Sequence, residues 1–329
     1  MAQLKPTRTA FLLGGAAALL ATSIARSVGT GSEFLSGEGM PYGAFDRLPK
    51  TDLPVAGGTI HVGLAPGTLS LQRQEIMGWV ARSARAVSMY YGRFPVASLR
   101  LLIVPVGGDG VRGGTTWGYR GAAIRMLLGS AAETADLSRD WMMVHEMVHT
   151  ALPDMNSRSN WLSEGLAVYV EPIARTQAGD LTPEKIWADM VRDMPLGLPG
   201  GGDGGLEGTQ SWGRTYWGGA IFCLLADIGI RKGTGNRLGL REAMRGVLAA
   251  GGNHEVDWPI RRILATADKT VGGSVLAGLY DTMGNRPAMP DLFGLWRDLG
   301  IRQTDDGVSF DDNAPLAAVR KAITARGGA

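Results

Sequence analysis

Apolar positions in the first part of the chain follow two different periods. Residues 58–65 (GTIHVGLA) alternate as a strand does, and residues 98–106 (SLRLLIVPV) and 122–129 (AAIRMLLG) are short apolar runs typical of buried strands. Residues 69–92 carry apolar side chains at helical spacing up to Gly92, which predicts an amphipathic helix between the first two strands. The glycine-rich stretch 107–121 (GGDGVRGGTTWGYRG) predicts a loop.

Beyond Pro153 the apolar spacing is mostly helical. The predicted helices cover residues 161–172, 183–193, 214–232, 239–249, 272–283, 290–298 and 314–325. Residues 196–208 (LGLPGGGDGGLEG) contain almost no large side chain and predict a mobile loop. These elements predict an α+β protein, with a β-rich lobe over residues 51–154 followed by a helical lobe over residues 155–325.

The first fifty residues differ from the rest in composition. Lys5 and Arg8 precede an apolar run that ends in small residues near Ala25, as in a secretory signal peptide. A membrane anchor through residues 9–25 is the alternative, because the run is slightly long for a signal peptide, although it is short for a membrane span. Residues 26–50 are rich in Gly, Ser and Pro and predict a linker. The expected location is outside the bacterial cytoplasm, in the periplasm or beyond, or attached to the inner membrane.

Overall composition excludes some classes of partner. The net charge is only +2 and no run of Lys or Arg occurs, so nucleic acid is not an expected partner. The single cysteine, Cys223, rules out an internal disulfide and lies in an apolar segment typical of a core. Glycine makes up 49 of 329 residues, roughly twice the usual share, and much of it lies in predicted loops.

The segment WMMVHEMVHT (141–150) carries the strongest chemical signal. On a helix, His145 and His149 lie one turn apart on the same face and can offer ring nitrogens to one metal ion. Glu146 then points towards the ion's open position, the arrangement of a metallopeptidase with the glutamate as general base. Asp136 and Ser138 are the candidate N-caps of this helix. Two surface histidines on an ordinary helix are the alternative.

A catalytic zinc of this type needs a third protein ligand. Glu164, at the start of the next predicted helix (NWLSEGLAVYVEP), is the best candidate. Asp154 and Glu171 are weaker ones, because Asp154 is too close to His149 in sequence and Glu171 lies two turns beyond Glu164. The sequence therefore predicts one Zn²⁺ held by two histidines and one glutamate.

Three segments together resemble the gluzincin metallopeptidases. HEMVH followed by WLSEGLAVYVE is similar to the two metal motifs of that group, and RTYWGGAIF (214–222) is similar to its Y-x-K-G-A segment. The wider chain, from about residue 55 to 325, is most similar to the glycyl aminopeptidase family, without that family's C-terminal PDZ domain. The resemblance implies a thermolysin-like zincin fold. It also implies that Tyr216 stabilises the tetrahedral intermediate, although Gly218 stands where the family has lysine.

The resemblance and the motifs predict a zinc metallopeptidase acting on peptides or proteins. A zinc hydrolase of another substrate would use the same residues, and a non-catalytic envelope module with a structural zinc is the third hypothesis. Val168 stands where some gluzincins have an aspartate, so the partner of a metal-binding histidine must come from elsewhere. Strand 122–128 is the expected edge for an extended substrate. Because the related aminopeptidases bind the substrate amine with a glutamate and 111–126 contains no Asp or Glu, we expect altered, endopeptidase-like specificity.

Overall fold

A computed structural model describes residues 32–35, 39–209 and 211–326 of the chain. The predicted signal or anchor (1–25) lies outside these residues. Within the described ranges, no helix has the length and apolar character needed to cross a bilayer.

Five strands form one mixed sheet in the order β1-β2-β3-β5-β4. The strands are β1 (Lys50–Val55), β2 (Gly58–Leu64), β3 (Ser98–Val106), β4 (Val111–Trp117) and β5 (Ala123–Gly129). The inner pairs β2–β3 and β3–β5 are parallel, whereas β1 and β4 pair with their neighbours antiparallel. A hairpin of β6 (Ile301–Thr304) and β7 (Gly307–Phe310) lies apart from this sheet. The three predicted strands are confirmed, and β1 was not predicted.

Strand β4 contradicts two predictions. Residues 111–117 lie within the predicted glycine-rich loop, yet they form a strand that pairs with β5, with one irregularity between Val111 and Gly113. The predicted substrate edge at 122–128 is therefore wrong, because β5 is covered by β3 on one side and β4 on the other. Glycine is tolerated on an edge strand when another part of the protein must approach the backbone closely. β4 is the true edge on this side of the sheet.

Thirteen α-helices cover most of the remaining described residues. They are α1 (Ser32–Leu35), α2 (Tyr42–Arg47), α3 (Arg73–Tyr91), α4 (Thr134–Arg139), α5 (Met142–His149), α6 (Asn160–Ala178), α7 (Pro183–Asp193), α8 (Gly219–Gly233), α9 (Leu240–Ala249), α10 (Ile260–Val271), α11 (Val275–Met283), α12 (Leu292–Asp298) and α13 (Ala317–Thr324). The long helix predicted before Gly92 is confirmed as α3, with a Gln72–Glu75 capping box at its start and Gly92 in the left-handed region at its end. The structure is thus a mixed α/β domain with a mainly helical second half.

The two faces of the sheet are buried against different elements. Successive strand residues point to opposite faces, so Leu101 and Ile103 of β3 join the main core with helices α3, α5 and α6, while Leu102 packs on the other side. There it meets Tyr42 and Phe45 of α2. The predicted linker 26–50 is therefore wrong in its described part, because these large apolar side chains are buried beneath the sheet.

Helices α6 and α8 cross at a pair of glycines. A Cβ on Gly165 would collide with the backbone of Gly219, and a Cβ on Gly219 would collide with the Trp161 carbonyl oxygen. Cys223 of α8 is buried, as predicted. The glycine pair lets the helix that carries Glu164 approach the helix that follows Tyr216 more closely than any side chain would permit.

Candidate active site

Helix α5 is held at its start by one aspartate. The Asp140 carboxylate accepts hydrogen bonds from the backbone N–H groups of Met142 and Met143, both at 3.0 Å, and from Trp79 Nε1 at 3.0 Å. The predicted caps Asp136 and Ser138 are wrong, because both lie in the separate short helix α4. Asp140 thus satisfies the first amides of α5 and ties the helix to α3.

The predicted metal ligands come together in the core. Nε2 of His145 lies 3.2 Å from Nε2 of His149, and Oε2 of Glu164 lies 3.4 Å and 3.6 Å from these two atoms. All three side chains are buried, and among the described residues they form a group able to hold a metal ion. Burial opposes ionisation of Glu164, but the adjacent His149 and His145 outweigh it and hold the pKa of that carboxyl well below its usual range.

Zinc fits this triangle in both size and chemistry. Nitrogen and oxygen ligands bind zinc at about 2.0–2.1 Å, so tetrahedral ligands stand about 3.3–3.4 Å apart. The three separations of 3.2, 3.4 and 3.6 Å bracket that spacing. Two imidazoles and one carboxylate are also a ligand set of catalytic zinc, which keeps a fourth position open. The residues present therefore fit one zinc ion.

Ser163 supplies the histidine partner that the sequence left unassigned. Its Oγ lies 2.9 Å from Nδ1 of His149. With Nδ1–H donating to Ser163, the lone pair of Nε2 faces Glu164, the tautomer that metal binding requires. Ser163 directly precedes Glu164 in the chain, so one turn of α6 provides both a ligand and the support of another ligand. On the other ring, Trp141 packs edge-on against His145 at 5.4 Å between ring centroids.

The side chain of Glu146 extends from α5 towards the edge strand β4. Thr116 Oγ1 lies 2.6 Å from its Oε2, and a Cβ on Gly114 would stand 2.5 Å from its Cγ. Complete burial raises the pKa of Glu146 to about 7, against the opposing effects of His149 and the Thr116 hydroxyl. A carboxyl with a pKa near neutrality can both accept and return a proton. Thr116 and Gly114 are functional neighbours that sequence reasoning missed, since the loop prediction for 107–121 concealed them.

Tyr216 reaches the same site from a π-helical turn. Residues Arg214–Gly218 form one turn of π-helix directly before α8, a local distortion that often occurs at functional sites. The Tyr216 ring stacks nearly parallel to His145, with centroids 6.4 Å apart and planes 6° apart. Burial, with Glu164 and Glu146 nearby, raises the pKa of its phenol well above the usual range, so the hydroxyl remains a donor.

The weaker ligand candidates lie elsewhere. Glu171 forms a buried ion pair with Arg175 at 2.8 Å, and Asp154 forms a backbone bridge with Asp257. Neither belongs to the metal-binding group. Glu171 forms an ion pair within α6, and Asp154 joins two loops.

The segment 196–208 is tied to the π-turn. Arg214 donates from Nε to Asp203 at 3.0 Å and from Nη1 to the Gly197 carbonyl at 2.8 Å. Leu206 is fully buried, and the Glu207 carboxylate accepts from Trp161 Nε1 at 3.1 Å. These contacts fix both ends of the loop and leave only its glycine-rich tip without them. They conflict with the prediction that the whole segment is mobile.

Comparison with solved structures shows a likeness of fold at low sequence identity. The fold is similar to that of an aminopeptidase N family protein from Idiomarina loihiensis, with a TM-score of 0.59 and 16% identity over 82% of this chain and 51% of that one. An M1 zinc metallopeptidase from Deinococcus radiodurans aligns with a TM-score of 0.49 and 16% identity over 74% of this chain and 53% of that one. This second likeness is too distant to support an argument.

The likeness concerns the fold alone, because the identities are low. The chain spans about half the length of the solved structures it resembles. No family profile and no curated protein matches the sequence. The resemblance to gluzincin peptidases, like the closer link to glycyl aminopeptidases, therefore stays a prediction.

Proposed function

We propose that the protein is a zinc-dependent peptide hydrolase. The observation that carries the proposal is the buried triangle of His145, His149 and Glu164 with Glu146 and Tyr216 around it. Zinc held there supplies a Lewis acid that polarises a substrate carbonyl and brings the pKa of a water to about 7. The buried, ionisable Glu146 would have no task in a purely structural site, which favours a hydrolase.

In the proposed reaction, Glu146 takes a proton from the attacking water and later gives it to the leaving amine. Its pKa of about 7 suits both directions of transfer at neutral pH. The Thr116 hydroxyl, 2.6 Å from Oε2, holds one carboxylate oxygen and leaves the other for the water. Tyr216 donates its phenolic hydrogen to the oxygen that gains negative charge as the carbonyl is attacked.

We propose that an extended peptide binds along β4. This strand forms the sheet edge, and its residues Gly114 and Thr116 both contact Glu146. Main-chain hydrogen bonds to such an edge would bring a substrate carbonyl past the glutamate without depending on side chains. The glycine at position 114 keeps this edge free of a side chain that would displace Glu146.

We further propose that the site does not require a free substrate amine. β4 itself carries no Asp or Glu. Two other acidic residues that could bind a substrate amine are engaged elsewhere, since Asp203 pairs with Arg214 and Glu171 with Arg175. An ammonium group buried without a carboxylate would be costly. Peptides with free and acetylated N-termini should thus be cleaved at similar rates, and cleavage of the free amine alone would refute this part.

The test of the central proposal combines metal content with peptide cleavage. We expect about one zinc per chain by mass spectrometry and hydrolysis of a mixed peptide library. His149→Ala should lose most of the metal and the activity together. Glu146→Gln should keep the metal and lose activity by about 10²–10⁴-fold, because it removes a base and not a ligand. Unchanged zinc in His149→Ala, or full activity in Glu146→Gln, would overturn the proposal.

The site of action is proposed to be the bacterial cell envelope, from the charged and apolar start of the chain alone. Expression of the full chain in bacteria followed by fractionation and N-terminal sequencing tests this. A mature N-terminus near residue 26 in the periplasm is expected, and an uncut chain in the cytoplasm would contradict it.

A further inference from the structure

A cavity of about 700 Å³ lies between the edge strand β1, the second half of α3 and the first half of α9. This volume is within the range of sites that bind small molecules. Small residues form its base, where Ala81 and Ser88 of α3 and the following Gly92 lie at helical spacing. None of the described residues that line it belongs to the metal-binding group or contacts that group's glutamates. The cavity is therefore separate from the proposed active site.

The walls of this cavity are largely apolar. Leu53 and Val55 of β1 are partly buried and pack against the main core, and Met89 of α3 is 38% exposed. Pro54 has no N–H group, so this edge of the sheet is a poor template for a further strand. The cavity therefore suits a compact apolar group better than an added strand.

Three arginines line the cavity, and two of them have an acidic partner. Arg85 forms an ion pair with Asp180 at 3.1 Å, and Arg241 forms one with Glu242 at 2.8 Å. Arg245 donates only to backbone carbonyls and forms no ion pair with any residue that the structure describes. One positive charge at the cavity is thus left without a negative partner among the described residues.

Arg245 is held in place before any ligand arrives. Its Nε donates to the carbonyl oxygen of Tyr90 at 2.8 Å, and its Nη2 donates to that of Met89 at 2.9 Å. Both carbonyls belong to the last turn of α3, which has no helical N–H group to bond them. A guanidinium has five N–H donors, so these two bonds leave donors for a ligand. Burial and the nearby Arg241 lower the pKa of Arg245, an environment that an anion would stabilise.

We propose that this cavity binds a small monocarboxylate with an apolar body, such as a medium-chain fatty acid. The carboxylate accepts hydrogen bonds from Arg245, because a guanidinium matches the geometry of a carboxylate. The apolar body lies along Leu53, Val55 and Met89. A single negative charge balances the one positive charge that lacks a partner, and the apolar walls give a purely polar anion little to contact. This inference goes beyond the proposed peptide hydrolysis and does not depend on it.

Calorimetry of the full chain with octanoate tests the proposal, with 1-octanol, octylammonium and acetate as matched probes. We expect the other three to bind at least about tenfold more weakly than octanoate, because each lacks either the negative charge or the apolar body. Arg245→Gln should weaken octanoate binding by about tenfold or more. Arg297→Gln, at an exposed arginine of α12, is the matched control and should bind octanoate as the parent does.

A second variant fills the cavity without changing its charge. Ala81→Phe places a ring at the base of the cavity and should abolish octanoate binding at an unchanged thermal midpoint. Octanoate bound to a metal ion at the active site would survive this change, so the variant separates the two sites. Parent-like octanoate binding in either folded variant overturns the proposal, as does equal binding of octanoate and 1-octanol or no binding of octanoate to the parent. If one variant does not fold, the other decides.

Discussion

Ser163 Oγ lies 2.9 Å from Nδ1 of His149 and so fixes the orientation of a metal ligand from behind. We expect Ser163→Ala to weaken zinc binding by about 10–100-fold, the usual cost of removing such a partner. A zinc titration against a competing chelator measures this directly. Ser163→Thr, which keeps the hydroxyl, should lie close to the parent. Parent-like affinity in the alanine variant would mean that His149 is oriented by other contacts.

Thr116 is expected to set the pH at which the enzyme becomes active. Its hydroxyl stabilises the ionised form of Glu146, whose pKa burial has raised to about 7. Thr116→Val removes this bond, so the pKa should rise further. Because the base must be ionised, activity is lost as pH falls through this pKa, and the acid limb of kcat/KM should move to higher pH by about one unit. Thr116→Ser is the control, and coincident profiles for the valine variant would contradict the role.

Tyr216→Phe keeps the ring and removes one donor. Loss of a single donor to the developing oxyanion costs about 10²–10³ in rate, or about 3–4 kcal/mol. The fall should appear in kcat with little change in KM, because the bond matters most in the transition state. Zinc content should not change. A fall of less than threefold would assign Tyr216 to packing only.

His254 should make the fold sensitive to acid. Burial, together with nearby His149, lowers the pKa of its imidazole to about 4 despite the Leu152 carbonyl. Between about pH 6.5 and 4 the unfolded chain therefore binds a proton that the folded chain does not bind. The free energy of unfolding falls by about 3 kcal/mol as the pH drops through this window, and this contribution is fully present above about pH 6.5. His254→Gln should lack this part of the slope.

Urea unfolding of both proteins at pH 7 and pH 4.5 measures the effect. The difference between parent and variant cancels the acid sensitivity of the metal ligands, which both share. Equal slopes in the parent and His254→Gln would show that the buried ring is not the source.

The glycine crossing of α6 and α8 predicts a further pair of outcomes. Gly165→Ala inserts a methyl group into the Gly219 backbone and should destabilise the fold by about 1–3 kcal/mol. It should also lower kcat, since it moves Glu164 relative to Tyr216. Gly78→Ala is the matched control inside α3, where a Cβ meets nothing within 4 Å. That change should stabilise the helix by roughly 0.5–1 kcal/mol. Equal thermal stability of the two variants would contradict the crossing.

Local patterns pointed to three residues that the structure brings together. His145 and His149 lie one helical turn apart, a spacing written directly in the sequence, and Glu164 was the best candidate for a third ligand at the start of the next predicted helix. Ser163 and Thr116 were not identified, because their roles depend on which segments meet in space. A serine next to a predicted ligand was the available signal for Ser163, and nothing in the sequence near Thr116 connects it to a residue thirty positions later.

The missed elements have physical reasons as well. β4 was predicted as a loop because its glycines obscure the alternation of a strand, yet one of them, Gly114, lies where a Cβ would collide with Glu146. Helix α10 was not predicted, although Ile260, Ile263, Leu264 and Ala267 carry helical spacing and are buried. Composition alone therefore gave the wrong element at β4, where a tertiary contact determines the backbone, whereas the periodicity of α10 is sufficient to predict a helix.

The π-turn at Arg214–Gly218 has a consequence for how the chain can change in length. Such a turn is equivalent to one residue inserted into an α-helix. Deleting a single residue there would restore regular helix, but it would rotate everything before the deletion by about 100° relative to α8. The rotation would separate the Trp212 ring from Tyr216 and Arg214 from Asp203. The regular helix would be the more stable segment, so the chain keeps a less stable turn that positions Tyr216. A one-residue deletion at this point would therefore harm the protein more than many substitutions.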